Sequence, residues 1–464
     1  MFVLHSYSKL PNINEYAKAK STPLDVFVWG TGSMCELGLG PSAKNKEVKR
    51  PRLNPYLTEE KLGGTKIVDF AVGGMHTLAL DGKNRIWSWG GNDSEVLGRD
   101  TCQAKEVLKD IDGKNGNDDD DDDEDGDLNE AESTPALVEN LPEGEIVQLA
   151  ATDNLSAALL SNGDVYSWGC FRCNEGLLGF LRDEIKLQKT PLKIKELKKH
   201  CPIMRSVKII LLALDSKEWM PGVNGQQYQL GRRILERHRY RSLEPQQFGL
   251  YNIKYIASGD FHCFAIDHSH NVYAWGLNQY GQCALTGDNG ELEDGSVLMK
   301  PTLIPELSHK GIKEIAAGEH HTLALTEDGQ VYAWGRYDMK EIGIPKDKLP
   351  KSTFKINTGT HGSFSFLQNL FAVKIKTIGV GSHHSFAVTE DGVVYAWGFA
   401  ETYGPGLGPS IDDVEKPTRI VNTATKNEDI LLIGAGGQFS VSGGVKFEDE
   451  EKAEVRLDKY EDLE

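Results

Sequence analysis

Gly381-Ser382-His383-His384-Ser385-Phe386-Ala387-Val388-Thr389-Glu390-Asp391-Gly392-Val393-Val394-Tyr395-Ala396-Trp397-Gly398 is the stretch that decides the fold. Apolar residues run on either side of Glu390-Asp391-Gly392, whose glycine tolerates the positive φ of a tight turn. The stretch therefore predicts two short strands joined as a hairpin, opened by a histidine and closed by Trp-Gly. The same frame recurs: His76 precedes Trp89, His262 precedes Trp275 and His321 precedes Trp334 by the same thirteen residues that separate His384 from Trp397.

Trp-Gly pairs end strand-like runs at Gly30, Gly90, Gly169, Gly276, Gly335 and Gly398, with separations of 60, 79, 107, 59 and 63 residues. The 79 contains an acidic insertion, and the 107 is two periods. A Leu-Gly pair follows most of them (Leu37-Gly38, Leu97-Gly98, Leu178-Gly179, Leu407-Gly408), and a Pro-led short strand precedes the next unit at Pro135, Pro191, Pro301 and Pro417. Proline at the start of a strand fits an outer edge, where no ladder donor is needed. Each unit thus supplies about four strands. The expected architecture is all-β, a seven-bladed β-propeller of four-stranded blades over residues 23–446. Its ring is closed by the N-terminal strand Asp25–Gly30 joining the C-terminal hairpin at Gly434–Gly443.

One stretch breaks the pattern. Residues 201–223 should hold a Gly-x-x-His half and a Trp-Gly half, but only Leu212–Lys217 fits. Codons for Ser206–Leu211 read one base earlier permit Gly-Lys-Asp-His-Thr, and those for Lys217–Val223 permit Gly-Met-Asp-Ala-Trp-Gly. Local shifts of reading frame in the source sequence would account for both departures, the alternative being a degenerate blade; the segment 352–370 lacks the expected Pro-led strand and is expected to be altered in the same way.

The chain has 464 residues and a formal charge of −18. Thirteen acids against one lysine at 110–132, and nine acids against three basic residues at 447–464, account for all of it. The rest is balanced, which excludes a general basic surface for nucleic acid. Both acidic segments and residues 1–22 are expected to be solvated and flexible. Seven scattered cysteines argue against a secreted disulfide framework. The longest apolar run, Ile209–Leu214, is too short to span a membrane. No membrane partner is expected.

The repeated histidines occupy equivalent places in successive units, as structural residues do, and are expected to be partly buried and bonded to neighbouring backbone. Asp153, Asp260 and Glu319 fall where they would line one face of the ring. No Ser-His-Asp order, phosphate loop or paired zinc motif is present, and Cys170-x-x-Cys173 lacks the second pair that zinc requires. No metal, cofactor or covalent catalysis is expected. Arg232, Arg233, Arg237, Arg239 and Arg241 crowd ten residues; their guanidinium forks suit the carboxylates of an acidic protein partner.

The repeat of Trp-Gly, Leu-Gly, Pro and Gly-x-x-His over about residues 24–446 resembles the regulator of chromosome condensation family. Trp29–Gly40, Trp168–Gly179 and Gly276–Cys283 look like the fungal exchange factors for the small GTPase Ran within that family. The resemblance implies a nuclear, chromatin-associated exchange factor that speeds GDP release from Ran without bond chemistry or a small-molecule substrate. It also implies a protruding wedge at Phe171, Arg172, Cys173, Asn174, Glu175, Gly176, Leu177 and Leu178, and a Ran-gripping face including Asp153, Asp260, Glu319, His320 and His321. The arginine-rich loop at 232–241 matches a histone-contacting loop, implying nucleosome acidic-patch binding. A second aspartate of the family's face falls near Lys208–Ile209, and Phe439 stands where the last histidine would be. A scaffold or ubiquitin-pathway adaptor sharing the propeller is the alternative function.

Overall fold

The glycine of each Trp-Gly pair is fixed by backbone geometry. Gly30, Gly90, Gly169, Gly276, Gly335 and Gly398 all have φ between 103° and 113°. A Cβ at any of them would fall on a carbonyl of the turn that opens the same hairpin: Gln438, Met75, Asn154, Phe261, His320 and His383 respectively. The strand therefore bends away at that point, beside the tryptophan that reaches back to the preceding blade. The computed structural model describes residues 19–102, 126–173, 176–180, 185–194, 203–207, 210–214, 219–222, 228–231, 250, 252–285, 297–348, 353–355, 361–363 and 373–447.

Six complete antiparallel sheets carry the six Trp-Gly strands. The closing blade orders Glu47–Leu53, Asp25–Thr31, Phe439–Lys446 and Glu428–Ala435. Asp25–Thr31 pairs with Phe439–Lys446 from Asp25↔Gly444 to Gly30↔Phe439, so the N-terminal strand does lock the ring. The Trp89 blade is built on Ile67–Val72, the Trp168 blade on Ile146–Ala151, the Trp275 blade on Ile253–Ser258 and the Trp397 blade on Ile375–Val380. The Trp334 blade, built on Ile312–Ala317, has five strands, because His361–Ser363 and Thr353–Lys355 pair outside Val331–Arg336.

The expected seven four-stranded blades are corrected to six. Between the Trp168 and Trp275 blades stands only a three-stranded sheet of Ile203–Val207, Ile210–Leu214 and Trp219–Gly222 among the described residues. The cause is legible in the chain: the flanks of 201–223 carry neither the Gly-x-x-His turn nor the Trp-Gly bend on which the other sheets are built. A second correction concerns proline. Pro191, Pro301 and Pro417 sit inside Gln188–Lys193, Val297–Leu303 and Val414–Arg419 rather than leading them. Each of these outermost strands shifts register against its Trp-Gly strand there, which absorbs the missing N–H.

The core lies at the joints between blades. The six tryptophans are 0–2% exposed, and each indole N–H donates to a carbonyl of the preceding blade. Trp89 Nε1 reaches Glu36 O at 3.0 Å, Trp168 reaches Val96 O at 2.7 Å, Trp275 Gln229 O at 2.8 Å, Trp334 Gln282 O at 2.9 Å, Trp397 Glu341 O at 2.9 Å and Trp29 Gly404 O at 2.7 Å. Gly38, Gly98, Gly343 and Gly406 lie under the indoles of Trp89, Trp168, Trp397 and Trp29 with positive φ, where a Cβ would strike the ring. At the last of these the glycine is Gly406, not the Gly408 of the expected Leu407-Gly408 pair.

The histidines complete these joints, and here too the expectation is corrected. They are buried rather than partly buried, and their partner is a hydroxyl of the next blade rather than backbone. His76 Nε2 meets Ser156 Oγ at 2.8 Å, His262 meets Thr322 Oγ1 at 2.7 Å, His321 meets Ser385 Oγ at 2.9 Å and His384 meets Ser440 Oγ at 3.0 Å. Each hydroxyl in turn donates to the carbonyl that already accepts the indole: Val96, Gln282, Glu341 and Gly404. The hydroxyl proton being committed, the imidazole Nε2 carries the donor hydrogen. Burial depresses His76 and His262 to about 3, so both rings are neutral.

Candidate functional site

The turns that open the hairpins and the loops that follow Trp-Gly gather at one end of the ring. Turn is tied to turn across the blade joints: Asp260 N donates to Gly318 O at 3.2 Å, Glu319 N to Ser382 O at 3.2 Å, Ser382 N to Gly436 O at 3.3 Å and Gly437 N to Gly74 O at 3.0 Å. These bonds set side chains of the rim in fixed positions around its mouth. Asp153 folds over Gly74, where any Cβ would collide with its carboxylate. Asp260 is buried and Glu319 half-buried. One arc of the rim is therefore acidic. Across the joint beside Gly74 the surface turns apolar, with Met34 and Met75 45% and 37% exposed.

Glu319 is the hub of the acidic arc. Its carboxylate takes His320 Nε2 at 3.3 Å and His383 Nε2 at 2.8 Å. Burial acts to raise its pKa, but the hydrogen bonds from the two imidazoles hold it well below the usual carboxylate range. His320 stacks on Phe261 at 5.3 Å and packs against Tyr280 at 4.8 Å. Arg336 lies over the same Tyr280 ring at 5.5 Å and 3.8 Å from the carboxylate of Glu341. Burial pushes Glu341 up to about 7 despite Arg336 and His383 beside it. His383, Arg336, Tyr280 and Glu341 were not among the residues expected from sequence. The doubled histidine of His383-His384, which parallels His320-His321, was the available signal. His321 itself is corrected: its ring is in the buried joint with Ser385, so of that pair only His320 faces the rim.

The expected wedge is a hairpin inserted after Trp168-Gly169, in the loop that elsewhere makes a tight turn. Phe171–Cys173 and Gly176–Gly179 pair as Phe171↔Gly179, Arg172↔Leu177 and Cys173↔Gly176. Phe171 and Leu178 are buried at its base, and Phe171 stacks on Phe180 at 5.9 Å. Arg172 and Leu177 are exposed on its flank. Asn174 and Glu175 lie outside the described residues, as do Arg232, Arg233, Arg237, Arg239, Arg241 and Lys208–Ile209. Among the described residues no group of three or more His, Cys, Asp and Glu side chains could hold a metal ion, and no helix is long and apolar enough to cross a membrane.

This geometry has known counterparts. The RCC1-like domain pattern matches residues 25–442. The guanine nucleotide exchange factor SRM1 of Saccharomyces cerevisiae is 55% identical over 449 residues, covering 95% of this chain and 91% of the relative. Protein pim1 of Schizosaccharomyces pombe is 41% identical over 95% of this chain and 78% of its own length. The crystal structure of Prp20p from Saccharomyces cerevisiae, described with its binding to Gsp1p and histones, superposes with a TM-score of 0.86 at 49% identity, covering 98% of this chain and all of that one. The family match over residues 25–442, with a relative 55% identical over 95% of this chain, shows that the chain belongs to the RCC1-like, regulator of chromosome condensation family.

Proposed function

We propose that this chain is a guanine nucleotide exchange factor for the small GTPase Ran, acting on chromatin in the nucleus. The observation that carries the reading is the hairpin Phe171–Cys173/Gly176–Gly179, which is inserted directly after Trp168-Gly169 and starts beside the Asp153 turn, where Cys170 N donates to Asn154 O. Its buried base, Phe171 stacked on Phe180, gives the rigidity that pushing against another protein requires. The rim carboxylates Asp153, Asp260 and Glu319, with His320, would hold basic surface of the GTPase. The tip formed by Asn174, Glu175 and Gly176 would press on its phosphate-binding region and magnesium site. Nucleotide then loses contacts and leaves.

No covalent bond forms or breaks on the exchange factor. The rate gain comes from binding the nucleotide-free GTPase more tightly than the nucleotide-bound one, a difference of affinities between two states. The arginine-rich loop at 232–241 would meet the acidic patch of histones. Release of fluorescent GDP from purified Ran tests the reading. Acceleration by the chain, reduced about tenfold or more by Asn174→Ala with Glu175→Ala, is expected; tenfold corresponds to about 1.4 kcal/mol of barrier. A folded chain that leaves GDP release unchanged overturns the proposal in favour of a scaffold. Charge reversal at Arg237 and Arg239 is expected to weaken nucleosome binding without slowing exchange.

A further inference from the structure

The outermost strand of the closing blade, Glu47–Leu53, is far more basic than the balanced body of the protein. Lys44, Lys46, Lys49, Arg50 and Arg52 lie within nine residues that hold a single acid, Glu47. Lys44, Lys49, Arg50 and Arg52 are exposed. Their partners are almost all neutral. Arg50 Nη1 donates to Val421 O at 2.9 Å, Arg52 Nη1 donates to Asn45 Oδ1 at 3.1 Å, and the Lys49 ammonium sits 4.8 Å above the Tyr403 ring. Glu47 approaches Lys49 only to 4.0 Å. The two guanidinium groups are thus held in place by carbonyl and amide oxygens while their charge stays uncompensated. Exposed Lys416 extends the patch onto the neighbouring outer strand.

Charges on an outer strand commonly serve to block edge-to-edge pairing. That role is already filled here. Gly408 N donates to Lys49 O at 3.0 Å, Asn422 Nδ2 donates to Pro51 O, and Pro51 itself has no donor to offer. Five like charges on a strand that needs no such protection point to a polyanion. A folded protein partner would look for an apolar or aromatic anchor at the centre of its interface. Tyr403 is capped by Lys49, and the one large apolar side chain exposed on the strand is Leu53 at 42%. A phosphate backbone needs only the charges.

We propose that the strand Glu47–Leu53, with Lys44 and Lys46 leading into it, is a contact surface for the phosphate backbone of duplex DNA, separate from the wedge and the rim. At about 3.4 Å per residue the seven-residue strand spans roughly 24 Å. A duplex carries about seven phosphates per strand over that axial length, and those on its facing side are within reach of the array. The segment that follows the acidic run meets one end of the array: Leu128 N donates to Pro41 O at 2.7 Å and Ala43 N to Asp127 Oδ1 at 3.1 Å.

The test is anisotropy of a labelled duplex of about 30 base pairs titrated with the full chain in about 50 to 200 mM salt. The variant is Lys44→Glu, Lys49→Glu and Arg52→Glu together, which leaves the anchored Arg50 alone; circular dichroism and GDP release from Ran check its fold. Each phosphate contact contributes about −0.9 to the slope of log affinity against log salt. The variant is expected to bind at least about tenfold more weakly near 100 mM salt, with a slope shallower by about 2 to 3. The matching glutamine variant should fall between. Charge reversal at Arg237 and Arg239 should leave the contribution of Lys44, Lys49 and Arg52 to the slope unchanged. Equal affinity and slope for wild type and the glutamate variant overturn the proposal. So does capture of a peptide of residues 110–132 by a chain that binds no duplex, which would make the acidic insertion the occupant.

Discussion

Thr77 and Thr322 stand at the same place in the repeat, each one residue after the position of the joint histidine, yet substitution by valine should move stability in opposite directions. Thr322 Oγ1 accepts from His262 Nε2 and donates to Gln282 O at 2.7 and 3.2 Å. Thr77 is equally buried, but its hydroxyl has no partner, because the blade before it offers Phe439 in place of histidine. The equivalence is fixed by register: Phe439 pairs with Gly30 as His384 pairs with Gly398. Valine has the shape of threonine and suits a strand. At Thr322 it removes two bonds and leaves a buried imidazole N–H without an acceptor, a loss of about 2–3 kcal/mol. At Thr77 it removes an unsatisfied buried hydroxyl, a gain of about 1–2 kcal/mol. Equilibrium urea unfolding at unchanged slope reads the global difference, and amide exchange in His76–Asp81 and His321–Thr326 reads the local one. Two shifts of the same sign, or a gap below about 1 kcal/mol, would show that the histidine–hydroxyl–carbonyl chain does not hold the joints together.

Stability against pH should be nearly flat from about 7 to 5 and then fall steeply. His76 and His262, lowered from 6.5 to about 3, lose stability as pH falls below the unfolded value. Glu36 and Glu341, raised from 4.5 to about 7, regain it over the same interval as they protonate. The two effects offset until the glutamates reach their unfolded pKa; below that the two histidines cost about 3 kcal/mol per pH unit down to about 3, and Glu319, held below the usual carboxylate range, adds to the loss. Replacing both glutamates by glutamine, the residue already found at the equivalent Gln282, should expose the histidine slope below about pH 6.5; a flat profile in that variant would refute the assignment. Gly343→Ala, at φ 69° with its Cβ 2.8 Å from Trp397 Nε1, should cost about 2 kcal/mol in the same urea assay. Restoring Gly-Lys-Asp-His-Thr at 206–211 and Gly-Met-Asp-Ala-Trp-Gly at 217–223 should add a buried tryptophan, seen as a blue-shifted emission, and raise the urea midpoint. An unaltered midpoint would mean that the three-stranded sheet is the native form of that region.

The parts of the fold that the sequence made plain are those where one residue type alone satisfies the geometry. Only glycine fits beside the carbonyls of Met75 or His383, and only a long indole reaches back to Val96 or Gln282, so Trp-Gly recurs unchanged in all six complete blades. The hydroxyl that completes each joint was missed because serine at 156, 385 and 440 and threonine at 322 serve equally, and Cys263 stands there too, its Sγ 3.5 Å from Gln229 O. Variation hid the position. His383, the second partner of Glu319, was missed for another reason. His320 is its chain neighbour, but His383 arrives from the next blade, and nothing along one chain announces which turns will meet across a joint. The prolines were displaced because the register shift that accommodates them has no sequence mark of its own.

Closure by Asp25–Thr31 has a consequence for how the protein is born. Asp25–Thr31 finds Glu47–Leu53 soon after synthesis, but its other edge must stay open until Phe439–Lys446 has been made, about four hundred residues later. Until then Trp29 has no Gly404 carbonyl to bond, and the nascent arc presents a bare blade face at each end. Such faces can pair with those of another unfinished chain as readily as with each other. Closure is thus the step at which an unfinished ring is most exposed to pairing with the wrong partner.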